Sequence, residues 1–474
     1  YTVGIGSNFP TIDSVFKKLK TNGSSGPITL ELTDNFYTAP ADSFGFKLEG
    51  PISGTGVNGR ITIKPAANRN VTFEGSGRNV ISFLNTSYVN LYGVSTSGLN
   101  TLTIHALANT QFDQNNCVSI LENSDNNTIK NLIIIADDYQ GVSKGISIRA
   151  GMNSQFSPDR NVVEFNFVKK AAVAILIDSY TSSVKAAANV VRGNHVGSET
   201  DSLISWGIQS QGTSSTLIEN NHVQNIRHSI HYESPGIDSY CDFGCVIRNN
   251  VIHNIDSRNA RDGAFGIEVS GEIDNPGNNT WVYNNMVYDL RSSSNRIAGI
   301  QLWYTNSTKI YYNSVYLSGT GTGNTNGSAA LYISHSSTNV FAKNNLLVNI
   351  RDESPYCASA IYDYSIDNLT SDFNDLYYEA SQNNCLVKVG SSDYHNLNEW
   401  QITGRDMHSI SEQPFILPPH LHIAENIPTL LEAHGTPIIG LGSDFDGQLR
   451  SQTTPDIGAD EFNGIVVGVD DVEE

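Results

Sequence analysis

An asparagine followed by an apolar pair returns at a near-constant interval down the middle of this chain, and few folds accommodate such a repeat. The motif falls at Asn131, Asn194, Asn221, Asn250, Asn285, Asn313, Asn345 and Asn374. From Asn194 onward the gaps are 27, 29, 35, 28, 32 and 29 residues. Recurrence at such a period is the mark of a solenoid, in which each repeat contacts only its neighbours.

A second column keeps phase with the first. Short alternating strands follow each Asn motif: GISIR from Gly145, AILID from Ala174, GIQSQ from Gly207, SIHYE from Ser229, GIEVS from Gly266, GIQLW from Gly299, ALYIS from Ala330 and AIYDY from Ala360. Alternation with period two is a strand signature. Two strands per repeat, no helical pattern between them, and turns rich in Asn, Ser, Gly and Asp describe coils of a parallel β-helix. One coil cannot bury its own Ile, Val and Leu. Stacked coils bury them in an axial core and pair each strand with the next about 4.8 Å away. Asn at a fixed turn position can ladder its amide along the stack.

The expected class is therefore all-β, with one exception at the start. Ile12, Val15, Phe16 and Leu19 fall at helical spacing, Thr11 can cap and Gly23 can stop the helix. A helix there would cover the open end of the stack. We expect a cap and first coils over 1–75, coils over 76–440, and an end segment with an acidic tail over 441–474.

Composition narrows the partners. Charged residues are 16% of the chain and the formal net charge is −20. Such a surface repels nucleic acid and anionic membranes, admits divalent cations, and argues against a groove built mainly for polyanionic sugars. No apolar run reaches membrane-spanning length, and no leader peptide is visible, so Tyr1 is expected to begin a trimmed, mature form. Of five cysteines, Cys241 with Cys245 and Cys357 with Cys385 are expected as disulfides of an exported protein, the alternative being unrelated buried thiols. No Cys/His spacing of metal-site type is present.

The words FPTIDSVFKKLK, GPITLEL and NFYT, and the closing SDFDGQLRSQTTPDIGADEF, resemble the pectin-lyase-like β-helix surface proteins of Bacteroidetes-type bacteria. The resemblance implies a right-handed parallel β-helix and export, and says little of activity. The last residues, GIVVGVDDVEE, resemble the linker that precedes a removable sorting domain of type IX secretion. The resemblance implies a secreted or cell-surface location.

Chemistry is expected on the outward face of the second column. His231, Glu233 and Glu268 would form a titratable cluster fit for acid/base work on a glycosidic bond. Gln209, Gln211, Gln301, Trp303, Tyr332 and Tyr362 would line a sugar-binding groove beside it. The competing reading is a plain sheet face with aromatic ladders between coils. The motif sets of polygalacturonases are missing, since the chain has no GHG and no RIK. No metal site or cofactor is assigned. Calcium at Asp444, Asp446 and Gly447 remains open, but the twelve-residue calcium template fails there and a turn closed by Asp side chains fits better.

The leading functional expectation is a secreted structural or adhesive protein that meets an extracellular polysaccharide or cell surface and self-associates into an oligomer or filament. A polysaccharide lyase or glycoside hydrolase is the first alternative. A non-catalytic glycan-binding module is the second.

Overall fold

Alternation of inward Ile, Val and Leu with outward polar residues makes the chain a succession of short strands, and its turns decide how they stack. The computed structural model describes residues 1–93, 102–111, 114–138, 141–228, 233–257, 263–274, 276–292, 296–320, 327–334, 336–352, 356–364, 368–381, 383–417 and 420–466. They belong to two compact units, Tyr1–Asn225 and Ile226–Glu474.

Within each unit, consecutive strands are dealt in turn to three parallel sheets, so that every third strand pairs. One coil of the first unit runs Thr128–Lys130, Ile133–Ala136 and Ser143–Arg149. The next runs Val162–Glu164, Phe167–Lys169 and Val173–Asp178. A coil of the second unit runs Trp281–Tyr283, Met286–Ser292 and Ile297–Trp303. The fold is the expected all-β, right-handed parallel β-helix. Its hand is the one parallel crossovers favour.

Register keeps like residues in line. Ile146, Ile175 and Ile208 pair successively in the first unit. Ile237, Ile267, Ile300, Leu331 and Ile361 do so in the second. All are fully buried. One residue earlier, Gly236, Gly266 and Gly299 form a column in which a Cβ has no room. A Cβ on Gly266 would lie 2.2 Å from Val287 Cγ1.

The asparagine column is a hydrogen-bonded ladder. The backbone N–H of Asn285 donates to Asn313 Oδ1 at 3.1 Å, and that of Asn313 to Asn345 Oδ1 at 3.0 Å. Each Nδ2 also donates backward: Asn313 Nδ2 reaches Val282 O at 2.9 Å. In the first unit Asn166, Asn194 and Asn221 do the same. The residue before each rung turns the corner in the left-handed region: Asn284 has φ 53° and Tyr312 φ 52°. Asn131 belongs to this corner position (φ 57°), and Leu132 takes the rung, donating its N–H to Asn166 Oδ1. The expected first rung is therefore one residue out of register, and Asn166 is a rung the pattern missed.

One expected strand is also displaced. In the coil after Asn221 the third-sheet strand is Glu233–Tyr240, not SIHYE. Ile237 stands beside Ile267, and Glu233 beside Gly263. Residues 229–232 lie outside the described residues.

The N-terminal helix is Ile12–Asn22, and it buries Ile12, Val15, Phe16 and Leu19. Thr11 Oγ1 accepts from Ser14 N at 3.1 Å, and Gly23 (φ 68°) closes it through an N–H to Leu19 O. The other end of the chain runs back along the corners of the second unit. Asn284 Nδ2 donates to Ser443 O at 2.9 Å, Asn344 Nδ2 to Thr436 O at 2.7 Å, and Ala459 N to Ser314 Oγ at 2.9 Å. Asp444 closes its own turn: its Oδ1 accepts from Gln448 N and its Oδ2 from Glu461 N.

The five cysteines are unbonded in this structure, and the two disulfides stay expectations. Cys357 and Cys385 do face each other, with sulfurs 3.0 Å apart. Cys241 sits in the left-handed region (φ 53°) where the turn begins, and Cys245 is buried where it ends, with no bond between them.

Candidate functional site

Parallel register turns one outward position per coil into a row of adjacent side chains, and two such rows on the third sheet carry polar chemistry. In the first unit the row is Arg149, Asp178 and Gln211. It forms one wall of a cleft of about 530 Å³. Arg149 Nε lies 3.3 Å from Asp178 Oδ2, and its Nη1 donates to Gln114 Oε1 at 3.0 Å. Glu122, next to the strand Asn115–Leu121, accepts from Ser154 Oγ at 2.7 Å. Gly151 permits its approach, since a Cβ there would lie 2.5 Å from Glu122 Oε1.

The cleft also presents Arg78, Asn79 and Asn116, and Phe44, Met152 and Tyr180 supply apolar surface. Asn116 Nδ2 donates to Asn79 Oδ1 at 2.9 Å. Asn116 Oδ1 is buried without a hydrogen-bond partner among the described residues. Two cations and two anions line the cleft, so its formal charge cancels within a chain of net charge −20. Amides, a guanidinium–carboxylate pair and two aromatic rings together suit the hydroxyls and C–H faces of a sugar.

Among the expected binding residues, Gln211 lines this cleft. Gln209, two positions earlier, is buried beside Leu176. Arg78, Gln114 and Glu122 were missed. They flank strands rather than lie in them, so a count one residue past each strand end would have found them.

The second unit carries the other row: Asp238, Glu268, Gln301, Tyr332, Tyr362 and Lys388. Gln301 Nε2 donates to Glu268 Oε1 at 2.8 Å. Glu268, Gln301 and Tyr332 are 3%, 1% and 3% exposed. The Arg296 guanidinium lies 4.0 Å from the Tyr332 ring centroid and 5.6 Å from that of Trp303. Tyr332 and Tyr362 stack at 5.0 Å. Burial pushes both phenol pKa values up. The expected sugar-facing residues Gln301, Trp303, Tyr332 and Tyr362 thus lie in one layer, with Trp303 and Tyr362 half-buried.

Of the expected acid/base cluster, Glu233 and Glu268 are not strand neighbours. Asp238, not Glu233, is the strand neighbour of Glu268. Glu233 pairs with Gly263, five residues ahead of Glu268, which is about 16 Å along a strand. His231 lies outside the described residues.

No family model matches this sequence, and no curated protein sequence matches it. Solved structures do. The periplasmic alginate epimerase AlgG aligns over 81% of this chain and 77% of its own, at 12% identity and TM-score 0.41. An alginate lyase from Paenibacillus sp. str. FPU-7 aligns over 68% and 96%, at 16% identity and TM-score 0.43. PfbA, a surface adhesin of Streptococcus pneumoniae, aligns over 78% and 88%, at 13% identity and TM-score 0.41. Likenesses this distant assign no activity to this chain. Among the described residues, no helix is long and apolar enough to cross a membrane.

Proposed function

We propose that this chain is a secreted, cell-surface β-helix protein that acts as an adhesin by holding a neutral extracellular polysaccharide in the cleft beside Arg149. The charge-balanced lining carries this reading: Arg78 and Arg149 offset Glu122 and Asp178, and Asn116 Oδ1, without a partner among the described residues, can accept from a hydroxyl. Export rests on the sequence resemblance at both ends, and the type IX route on that of the last residues. Association of copies into a filament belongs to the same reading, and electron microscopy of native material would remove it by finding single particles only.

The test is a panel of neutral and acidic polysaccharides, read for retention and for new reducing ends or unsaturated products. Retention of a neutral glycan without product, lost in Arg149→Ala, is the expected result. Product formation would replace adhesion with a lyase or hydrolase function. Retention confined to acidic glycans would overturn the charge argument.

A further inference from the structure

The hairpin of Ile416–Leu417 with His422–Ile423, the turn at Asp446 and the segment at Asp460 converge in the second unit. One ligand-capable atom from each of His422, Asp446 and Asp460 lies within 4.8 Å of the others. His422 Nε2 is 2.9 Å from Asp446 Oδ2. Bonds of about 2.1 Å in tetrahedral geometry place neighbouring ligand atoms about 3.4 Å apart, so a small rotation admits an ion between them.

Asp460 is 4% exposed, and its Oδ2 accepts the N–H of Ile423 at 3.0 Å. That bond fixes a buried carboxylate against the strand that carries His422, as outer-shell bonds fix metal ligands. Two ligand carboxylates against one imidazole leave negative charge in a partly buried place, and the buried Asp444 adds to it. Asp444 itself is committed to two backbone N–H groups and stands outside the ligand set. His420 also stands outside it: its ring is 6.2 Å from that of His422, and its Nδ1 is 3.2 Å from the Tyr288 hydroxyl.

We propose that His422, Asp446 and Asp460 bind one divalent transition-metal ion of the Zn²⁺ class, with water completing the sphere, and that the ion pins these three segments together. An imidazole ligand favours zinc-like ions over calcium, which takes six to eight oxygens. The metal belongs to this His-containing constellation rather than to a calcium loop at Asp444, Asp446 and Gly447.

The full chain, stripped with chelator, would be titrated with ZnCl₂ by calorimetry and elemental analysis, with CaCl₂ in parallel and Co²⁺ as a spectroscopic probe. The expected result is one equivalent of Zn²⁺, a tetrahedral Co²⁺ absorption, and a rise in Tm. Asp446→Asn and His422→Ala should each weaken binding at least about tenfold. Asp446 is 42% exposed at its side chain, so its variant retains the fold. His408→Ala, at an exposed pair with Asp372, should bind as the parent does. A Cys357→Ser, Cys385→Ser background removes the adjacent thiols as a second source of zinc. No stoichiometric binding in that background, equal affinity in all variants, or occupancy by calcium alone would overturn the assignment.

Discussion

The Arg450 guanidinium lies 4.0 Å from the centroid of the Tyr312 ring, which joins the closing segment to a corner of the coil stack. Its Nη2 donates to Asn284 Oδ1, Gly458 O and Ala459 O, and its Nη1 lies 3.1 Å from Glu461 Oε2. Burial lowers its pKa from the usual arginine value. Arg450→Ala leaves Glu461 without its cation and several carbonyls unbonded, a loss of about 3 kcal/mol. Hydrogen exchange should speed up over 443–462 while the coil strands stay protected. Uniform exchange across the second unit would show that this segment is not separately anchored.

Asn313 is the middle rung of Asn250, Asn285, Asn313, Asn345 and Asn374 in the second unit. Asn313→Ala removes the acceptor for Asn285 and the donors to Val282 O and Asn345 Oδ1. Buried groups left unsatisfied cost about 1–3 kcal/mol each, so we expect at least about 3 kcal/mol in chemical denaturation. The exposed Asn123→Ala should cost less than about 0.5 kcal/mol.

The glycine column makes an asymmetric prediction. Gly266→Ala drives a methyl toward Val287 Cγ1 at 2.2 Å and Gly299 O at 2.6 Å. Overpacking of this kind costs about 1–3 kcal/mol. Ala330, at the same register position two coils on, already accommodates its methyl. Equal Tm values for Gly266→Ala and the parent would contradict the register described.

Glu164 supplies a pH test. Burial opposes its ionisation, but hydrogen bonds from Lys130 and Arg192 win and hold its pKa below the usual value. The nearest contacts are 2.8 Å to Lys130 and 2.7 Å to Arg192. A depressed folded-state pKa gives stability that is present above the unfolded value of about 4.3 and lost as pH falls through the folded one. Glu164→Gln should cost about 1 kcal/mol at pH 7 and flatten the acid limb of the stability curve. An unchanged acid limb would sink this assignment.

The coil architecture was legible because burial repeats. An inward Ile such as Ile267 must lie beside Ile237 and Ile300, so the sequence carries a copy of the same constraint in every coil. The strand at Ser229 was misplaced because SIHYE and PGIDS share one local pattern within a single coil. The spacing from the preceding Asn separates them: Gly266 and Gly299 lie 16 and 14 residues beyond Asn250 and Asn285, and Gly236 lies 15 beyond Asn221, whereas Ser229 lies 8. The outward position of Gln211 was legible because it occupies a column. The Arg450 anchor and the convergence of His422, Asp446 and Asp460 were not, because no periodicity links a returning segment to the corners it meets.

The claim that the first unit's cleft is the glycan site is tested most directly by calorimetry with an oligosaccharide of the retained polysaccharide. Parent protein, Arg149→Ala, Gln211→Ala and Trp303→Ala would be titrated side by side. The account predicts at least about tenfold weaker binding for the two cleft variants, a difference of about 1.4 kcal/mol, and no change for Trp303→Ala. Binding lost in Trp303→Ala and kept in Arg149→Ala would contradict it.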